Sequence, residues 1–159
     1  VVFAVCGGFQ LAGHGYTGVD GTRMGGISLL DADTVAGATR LIGDLVIEVS
    51  LDGDRETVVG FENHAGRTHL GPAARPLGRV ISGNGNNGVD RSEGAVQGRI
   101  VGTYLHGPLL PKNPWLADRL LGWALEHATG ASPELPPLDD ALEASAHAIA
   151  VARARRPRR

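Results

Sequence analysis

The first sixteen residues, VVFAVCGGFQLAGHGY, constrain this chain more than any other stretch. An apolar, β-branched run from Val1 to Val5 stops at the only cysteine, Cys6, and two glycines follow. A short apolar run ended by Gly-Gly reads as a buried strand feeding a tight strand-to-helix turn, with the helix opening near Gln10, Leu11 and Ala12. Glycine tolerates positive φ and close backbone approach, so Gly7 and Gly8 let that turn be sharp. The turn lifts the Cys6 side chain out of the sheet toward a helix N-terminus, where unpaired N–H groups and the helix dipole favour a thiolate. The Gly7 N–H is placed to hydrogen-bond an oxyanion on an attacked carbonyl. This is the nucleophile-elbow arrangement with sulfur for oxygen. The competing reading is an inert buried cysteine at a strand end.

A chain of 159 residues, 42% hydrophobic and 20% charged, has the composition of a globular domain with a sizeable core. One cysteine excludes an internal disulfide framework and fits a reducing compartment, so a cytoplasmic location is expected. No apolar run approaches the ~18 residues of a membrane span, and the opening run has no basic flank of the signal-peptide kind. A net charge of −2 gives no argument for nucleic acid. The terminal RARRPRR is locally basic and reads as a solvated tail, with docking on a partner or on an anionic membrane face as the other readings. A nucleophile-bearing strand in a doubly wound sheet needs neighbours on both sides. A chain opening on Val1 inside such a strand is therefore expected to lack two or three upstream βα units.

Further along, a short strand is expected near Ile27–Leu30 within a glycine-dense passage. Residues 39–50 alternate as a strand, with Leu45, Ile47 and Val49 on one face, and residues 44–61 read as a hairpin whose second strand is Thr57–Phe61. ENHAGRTHLGP is polar and rich in hydrogen-bonding side chains. Gly78–Ser82 is a short strand, NGNNG at 84–88 a turn, and residues 98–107 a buried strand ending at His106. Three prolines make PLLPKNP a loop. Helical spacing runs from Trp115 to Thr129 with Gly130 as its stop. A proline-rich linker at 133–137 then precedes a helix from about Asp139 to Arg155. Local reading gives an α+β pattern, which further βα units would complete as an α/β sheet.

Cys6 and His106 each end an apolar strand. In an open α/β sheet such strand ends converge on one rim, where ligands bind. A histidine there can act as base toward a thiol and acid toward a leaving amine.

The segments CGGFQ, TRLIGD, VGFENHAGRT, NGNNG and GTYLHGPLLPKNP, in this order from Cys6 to about Trp115, resemble the class I glutamine amidotransferases of the cobyric-acid-synthase-like branch. Within it they are most similar to the glutaminase subunits of lipid II isoglutaminyl synthases. The resemblance implies an α/β, flavodoxin-like three-layer sandwich lacking its N-terminal βα units. Residues 1–130 would be the C-terminal portion of the amidotransferase domain, and 131–159 a linker, a terminal helix and the basic tail. It implies Cys6 as nucleophile toward L-glutamine, His106 as acid and base, Gly7 as oxyanion donor and Arg40 as the guanidinium for the substrate α-carboxylate. Gln10, Asn63 and His64 are pocket candidates; fastening loops is their other reading, and a solvated strand-end arginine is that of Arg40. The implied partner is a MurT-like, Mur-ligase-type subunit in a heterodimer that reaches lipid II at the inner membrane face. ATP and Mg belong to that partner, because this chain has no GxxxxGK[ST], and no cofactor or metal is expected here.

One departure stands out. Class I enzymes usually carry His-x-Glu, the acid orienting the imidazole, whereas Pro108 occupies that place here. An acid supplied by the partner is one expectation. A cobyric-acid-type amidotransferase and a non-catalytic, partner-binding scaffold are the alternative readings; Cys6, His106 and Arg40 together weigh against the scaffold.

Overall fold

The elements were traced in a computed structural model that describes residues 1–131 and 134–155. In chain order they are β1 (Val2–Val5), α1 (Gly7–Ala12), β2 (Gly15–Thr17), β3 (Arg23–Gly25), β4 (Ala32–Leu51), β5 (Asp54–Leu70), β6 (Gly78–Ser82), β7 (Ser92–Glu93), β8 (Ala95–Gln97), β9 (Ile100–Thr103), a 3-10 turn (Leu110–Lys112), α2 (Pro114–Thr129) and α3 (Ala141–Ala154). One sheet has the order β1-β9-β8, and the other runs β3-β2-β4-β6-β7 with β5 also paired to β4. The β1/β9 and β2/β4 pairs are parallel and the remaining pairs antiparallel. With helices packed on the strands, the chain is α/β, as expected. Of the last stretch, Pro133 in the linker and Arg156–Arg159 in the basic tail lie outside the described residues.

The alternation read in residues 39–50 sets the core. Leu45, Ile47 and Val49 join Val58, Leu77, Val80, Val101 and Leu105, and α2 closes this cluster with Leu116, Leu120 and Trp123. Those three α2 positions recur at helical spacing and so share one face. Gly130 ends the helix at φ 74, its N–H bonded to the Glu126 carbonyl. On the other face of β4, Val46 and Val59 meet Ala150 of α3.

One expected strand is corrected. No strand forms at Ile27–Leu30. The backbone N–H groups of Gly26 to Leu30 instead turn back onto the carbonyls of Leu11, Ala12, Gly13 and His14, at 2.8–3.0 Å. They satisfy the acceptors that the end of α1 leaves open, so they cannot serve a sheet ladder. The polar segment ENHAGRTHLGP extends the hairpin, because β5 continues to Leu70 against β4, Ala36 facing Gly66 and Ala32 facing Leu70. Its buried positions are Glu62, His64, Gly66 and Thr68, so the period of two is present but its inward face is polar or bare.

Candidate active site

Cys6 is the single residue between β1 and α1, with φ 54 and ψ −110. A residue with a Cβ rarely adopts this backbone state, which costs on the order of 1–3 kcal/mol. It persists because the Cys6 N–H donates to the Thr103 carbonyl at 2.9 Å while the Cys6 carbonyl accepts from Gln10 N–H at 3.1 Å. The helix therefore starts at Gly7, three residues before the sequence expectation. The first helical N–H groups, Gly7 among them, have no intrahelical acceptor. Both Gly7 and Gly8 are exposed.

Val5 faces Thr103 in the parallel β1/β9 register, so Cys6 stands level with Tyr104 and His106 follows two residues later on the same rim. The strand ends earlier than expected, at Thr103, and His106 is instead bridged to β5 at Phe61. The Phe61 carbonyl accepts from the His106 backbone N–H at 2.7 Å and lies 3.0 Å from Nδ1. A carbonyl can only accept, so Nδ1 carries the hydrogen, and in the neutral imidazole the lone pair is then on Nε2. Among the described residues a peptide carbonyl, rather than a carboxylate, takes the orienting place on this imidazole.

Arg40 lies at the irregularity between Ala36 and Leu41 in the β4/β5 ladder. Its Nε donates to Asn63 Oδ1 at 2.8 Å and its Nη2 to the Asn63 carbonyl at 2.9 Å. The pair is joined to the rim through β5, Asn63 being two residues beyond Phe61. His64 points the other way. It is 1% exposed and stacks on Tyr104 at a centroid distance of 3.6 Å. His64 Nδ1 donates to the Gly66 carbonyl at 2.9 Å, and its buried Nε2 has no hydrogen-bond partner, the Glu62 carboxylate lying 3.8 Å away. Gln10 donates to the Tyr104 hydroxyl at 3.2 Å, and that hydroxyl meets Thr68 at 2.7 Å. Gln10 and His64 thus frame Tyr104 beneath the rim. Burial pushes the Tyr104 phenol up, and charge on Cys6 acts in the same direction.

Two carboxylates escaped the sequence reading. Glu62 is fully buried and accepts from the N–H groups of Asn84 and Gly85 at 2.8 and 2.9 Å and from Asn84 Nδ2 at 2.7 Å, which fastens the NGNNG turn. Glu93 is fully buried against Thr103 and Tyr104. No period or motif marks either, since a buried acid inside a polar-looking segment resembles a solvated one. Desolvation pushes Glu93 up to about 7, with the Glu62 charge adding to it and hydrogen bonds from Tyr104, Thr103 and Gly94 opposing it. A raised folded-state pKa contributes stability below the ordinary value of 4.5 that is lost as pH rises through about 7. Urea unfolding at pH 5 and pH 8 should therefore show wild type losing stability relative to Glu93→Gln, by a few kcal/mol at most at ~1.4 kcal/mol per unit. A difference independent of pH would contradict this.

A cleft of about 540 Å³ lies between α2, the β4–β5 turn and the turn before β9, lined by Asp52, Arg99, Trp115, Arg119 and Glu126. It sits at the opposite end of β9 from His106, and in it Arg99 pairs with Glu126 and Arg119 with Asp52. Among the described residues no three histidine, cysteine or acidic side chains gather to hold a metal, and no helix is long and apolar enough to cross a membrane.

Residues 1–114, from the elbow to the start of α2, match the model of the CobB/CobQ-like glutamine amidotransferase domain. The chain belongs to this glutamine amidotransferase family. The chain is 42% identical over 155 residues to the lipid II isoglutaminyl synthase (glutamine-hydrolyzing) subunit GatD of Staphylococcus aureus, covering 98% of this chain and 61% of that protein. It is 43% identical over 143 residues to the subunit GatD of Streptococcus pneumoniae, covering 89% and 54%. With the cobyric acid synthase of Rhodobacter capsulatus the identity is 32% over 155 residues, covering 89% and 30%. The chain thus spans little more than half the length of the GatD proteins it matches. The amidotransferase match holds Cys6, Arg40, His106 and the Tyr104 floor, while α2, beyond it, completes the same core.

Proposed function

We propose that this chain is the glutaminase part of a lipid II isoglutaminyl synthase. The observation that supports the reading is the strained Cys6 elbow, level in the β1/β9 register with Tyr104 two residues before His106, whose Nδ1 lies 3.0 Å from the Phe61 carbonyl. Higher identity to the GatD proteins than to cobyric acid synthase supports lipid II over a cobyrinate as the downstream acceptor.

In this mechanism Cys6 Sγ attacks the side-chain amide carbon of L-glutamine while His106 Nε2 takes the thiol proton. The tetrahedral oxyanion is held by the Gly7 N–H. Its collapse breaks the C–N bond, His106 returns the proton to nitrogen, and ammonia leaves a thioester on Cys6. Water then attacks the thioester with His106 as base, releasing glutamate and restoring the thiol. Arg40, held by Asn63, offers its remaining N–H groups to the glutamine α-carboxylate. Ammonia passes to a MurT-like, Mur-ligase-type subunit, whose ATP and Mg activate the D-glutamate carboxyl of lipid II at the inner membrane face.

The test is ammonia release from L-glutamine by the full-length protein, alone and with its Mur-ligase-type partner, for wild type and Cys6→Ser. Partner-stimulated release that Cys6→Ser eliminates is expected; no release from either mixture would sink the proposal. Arg40→Ala should raise KM for glutamine about 10- to 100-fold with a smaller change in kcat, as loss of a charge-assisted carboxylate contact worth ~1.5–3 kcal/mol requires. An unchanged KM would remove Arg40 from the glutamine site.

A further inference from the structure

The bend from the end of β9 to the imidazole is held by a carboxylate from the other sheet. Glu93 lies on β7, the two-residue edge strand of that sheet. Its Oε1 accepts from the Tyr104 N–H at 2.7 Å and from the Thr103 hydroxyl at 3.0 Å, and Oε2 lies 3.1 Å from the same hydroxyl. The Thr103 hydroxyl oxygen accepts in turn from the Leu105 N–H at 3.0 Å. The Thr103 carbonyl takes the N–H of Cys6 at 2.9 Å. One side chain is thereby tied to the backbone under the thiol and to the segment that ends in His106.

This is chemistry that a carboxylate suits. Past Thr103 the chain has left the ladder, yet Tyr104 and Leu105 are fully buried, so their N–H groups need acceptors from elsewhere. In its ionised form Glu93 offers acceptors alone and brings no donor to be satisfied. The charged group facing it is Glu62 of β5, and the Gly94 N–H and the Thr103 and Tyr104 donors complete its surroundings. A second acid of the same sign nearby makes an ionisable group here costly, which a purely architectural contact would not need.

We propose that Glu93 is the positioning residue of the Cys6–His106 pair, its carboxylate fixing the bend after β9 that sets how thiol and imidazole meet. This rests on the reading of Cys6 and His106 as the reacting groups. Glu93 touches neither glutamine nor the reacting atoms. Its loss should change how well the pair is aligned, leaving glutamine binding alone.

The test compares Glu93→Ala, Glu93→Gln and Thr103→Val in the full-length protein with its partner, scoring thermal unfolding, kcat, KM and the rate of Cys6 alkylation by iodoacetamide. In folded Glu93→Ala, kcat should fall at least tenfold with KM within twofold of wild type, and alkylation should slow severalfold. Glu93→Gln keeps an oxygen for the Tyr104 N–H and should recover most of both. Folded Glu93→Ala with kcat within twofold of wild type, a Glu93→Gln as impaired as Glu93→Ala, or a loss confined to KM would each overturn the proposal. Should Glu93→Ala fail to fold, Thr103→Val decides by the same measures: at least a fivefold loss of kcat at constant KM supports the proposal, and kcat within twofold overturns it. Wild type without glutaminase activity would refute the functional reading instead. Alkylation would then still decide, slowed by Glu93→Ala and restored by Glu93→Gln, or unchanged in both and the proposal lost.

Discussion

Cys6→Ala should remove essentially all glutamine hydrolysis, a loss of about 10³- to 10⁶-fold in kcat, the range seen when a covalent nucleophile is deleted. No other thiol exists in the chain to substitute for it. The same position separates chemistry from backbone strain. Alanine keeps a Cβ at φ 54, so Cys6→Ala should unfold within a few degrees of wild type. Cys6→Gly lacks the Cβ that makes this conformation costly and should unfold higher, by about 1 kcal/mol or more, while being equally inactive. Thermal unfolding beside an ammonia-release assay gives all four values. Residual activity above a hundredth of wild type in Cys6→Ala would mean that the thiol is not the nucleophile.

The second large effect is at Gly102, on β9 below the rim. A Cβ there would stand 2.1 Å from Phe9 Cδ2 and 2.8 Å from Phe9 Cγ, and Phe9 is 1% exposed. The ring is buried, so Gly102→Ala must displace Phe9 and with it the helix α1 that carries it. Overpacking of a tight core costs about 1–3 kcal/mol, and a contact this short belongs at or above the top of that range. For a domain of this size that is a fall of roughly 6–12 °C in Tm. Activity should fall further than stability accounts for, because α1 begins at the residue after Cys6. Phe9→Leu, which vacates the ring edge, should restore part of the loss when combined with Gly102→Ala. A Gly102→Ala protein that melts as wild type would mean that β9 and α1 are not packed ring against backbone.

Much of this arrangement was legible in the residues. The apolar run into Cys6-Gly-Gly gave the elbow; Leu45, Ile47 and Val49 gave the core face of β4; Leu116, Leu120 and Trp123 with Gly130 gave α2 and its end. Gly78–Ser82 has the bounds expected of it. What stayed hidden shares one cause. Apolar periodicity finds faces buried among apolar partners, and the inner face of β5 is Glu62, His64, Gly66 and Thr68, buried among polar ones. The ladder of residues 62–70 therefore carries no apolar alternation, and nothing in the sequence sets Glu62 and Glu93 apart from solvated acids. Ile27 to Leu30 misled in the opposite sense. They look like a strand, but their N–H groups are consumed by the end of α1, a tertiary demand with no trace in local composition. Asn63 and His64, neighbours in sequence, divide between the two faces of β5, one holding Arg40 and the other packed on Tyr104.

The bond from His106 Nδ1 to the Phe61 carbonyl has a consequence for genetics. Every amino acid at position 61 carries that carbonyl, so no codon change deletes it. An alanine scan of this chain would return Cys6 and His106, with Arg40 and Glu93 beside them, and would still miss the contact at Nδ1. Natural variation at position 61 is correspondingly free of that duty, since its phenyl ring faces outward at 37% exposure while its peptide oxygen does the orienting. Invariance of a side chain is the wrong place to look for this contact; the register that brings β5 against residue 106 is what descent would have to preserve.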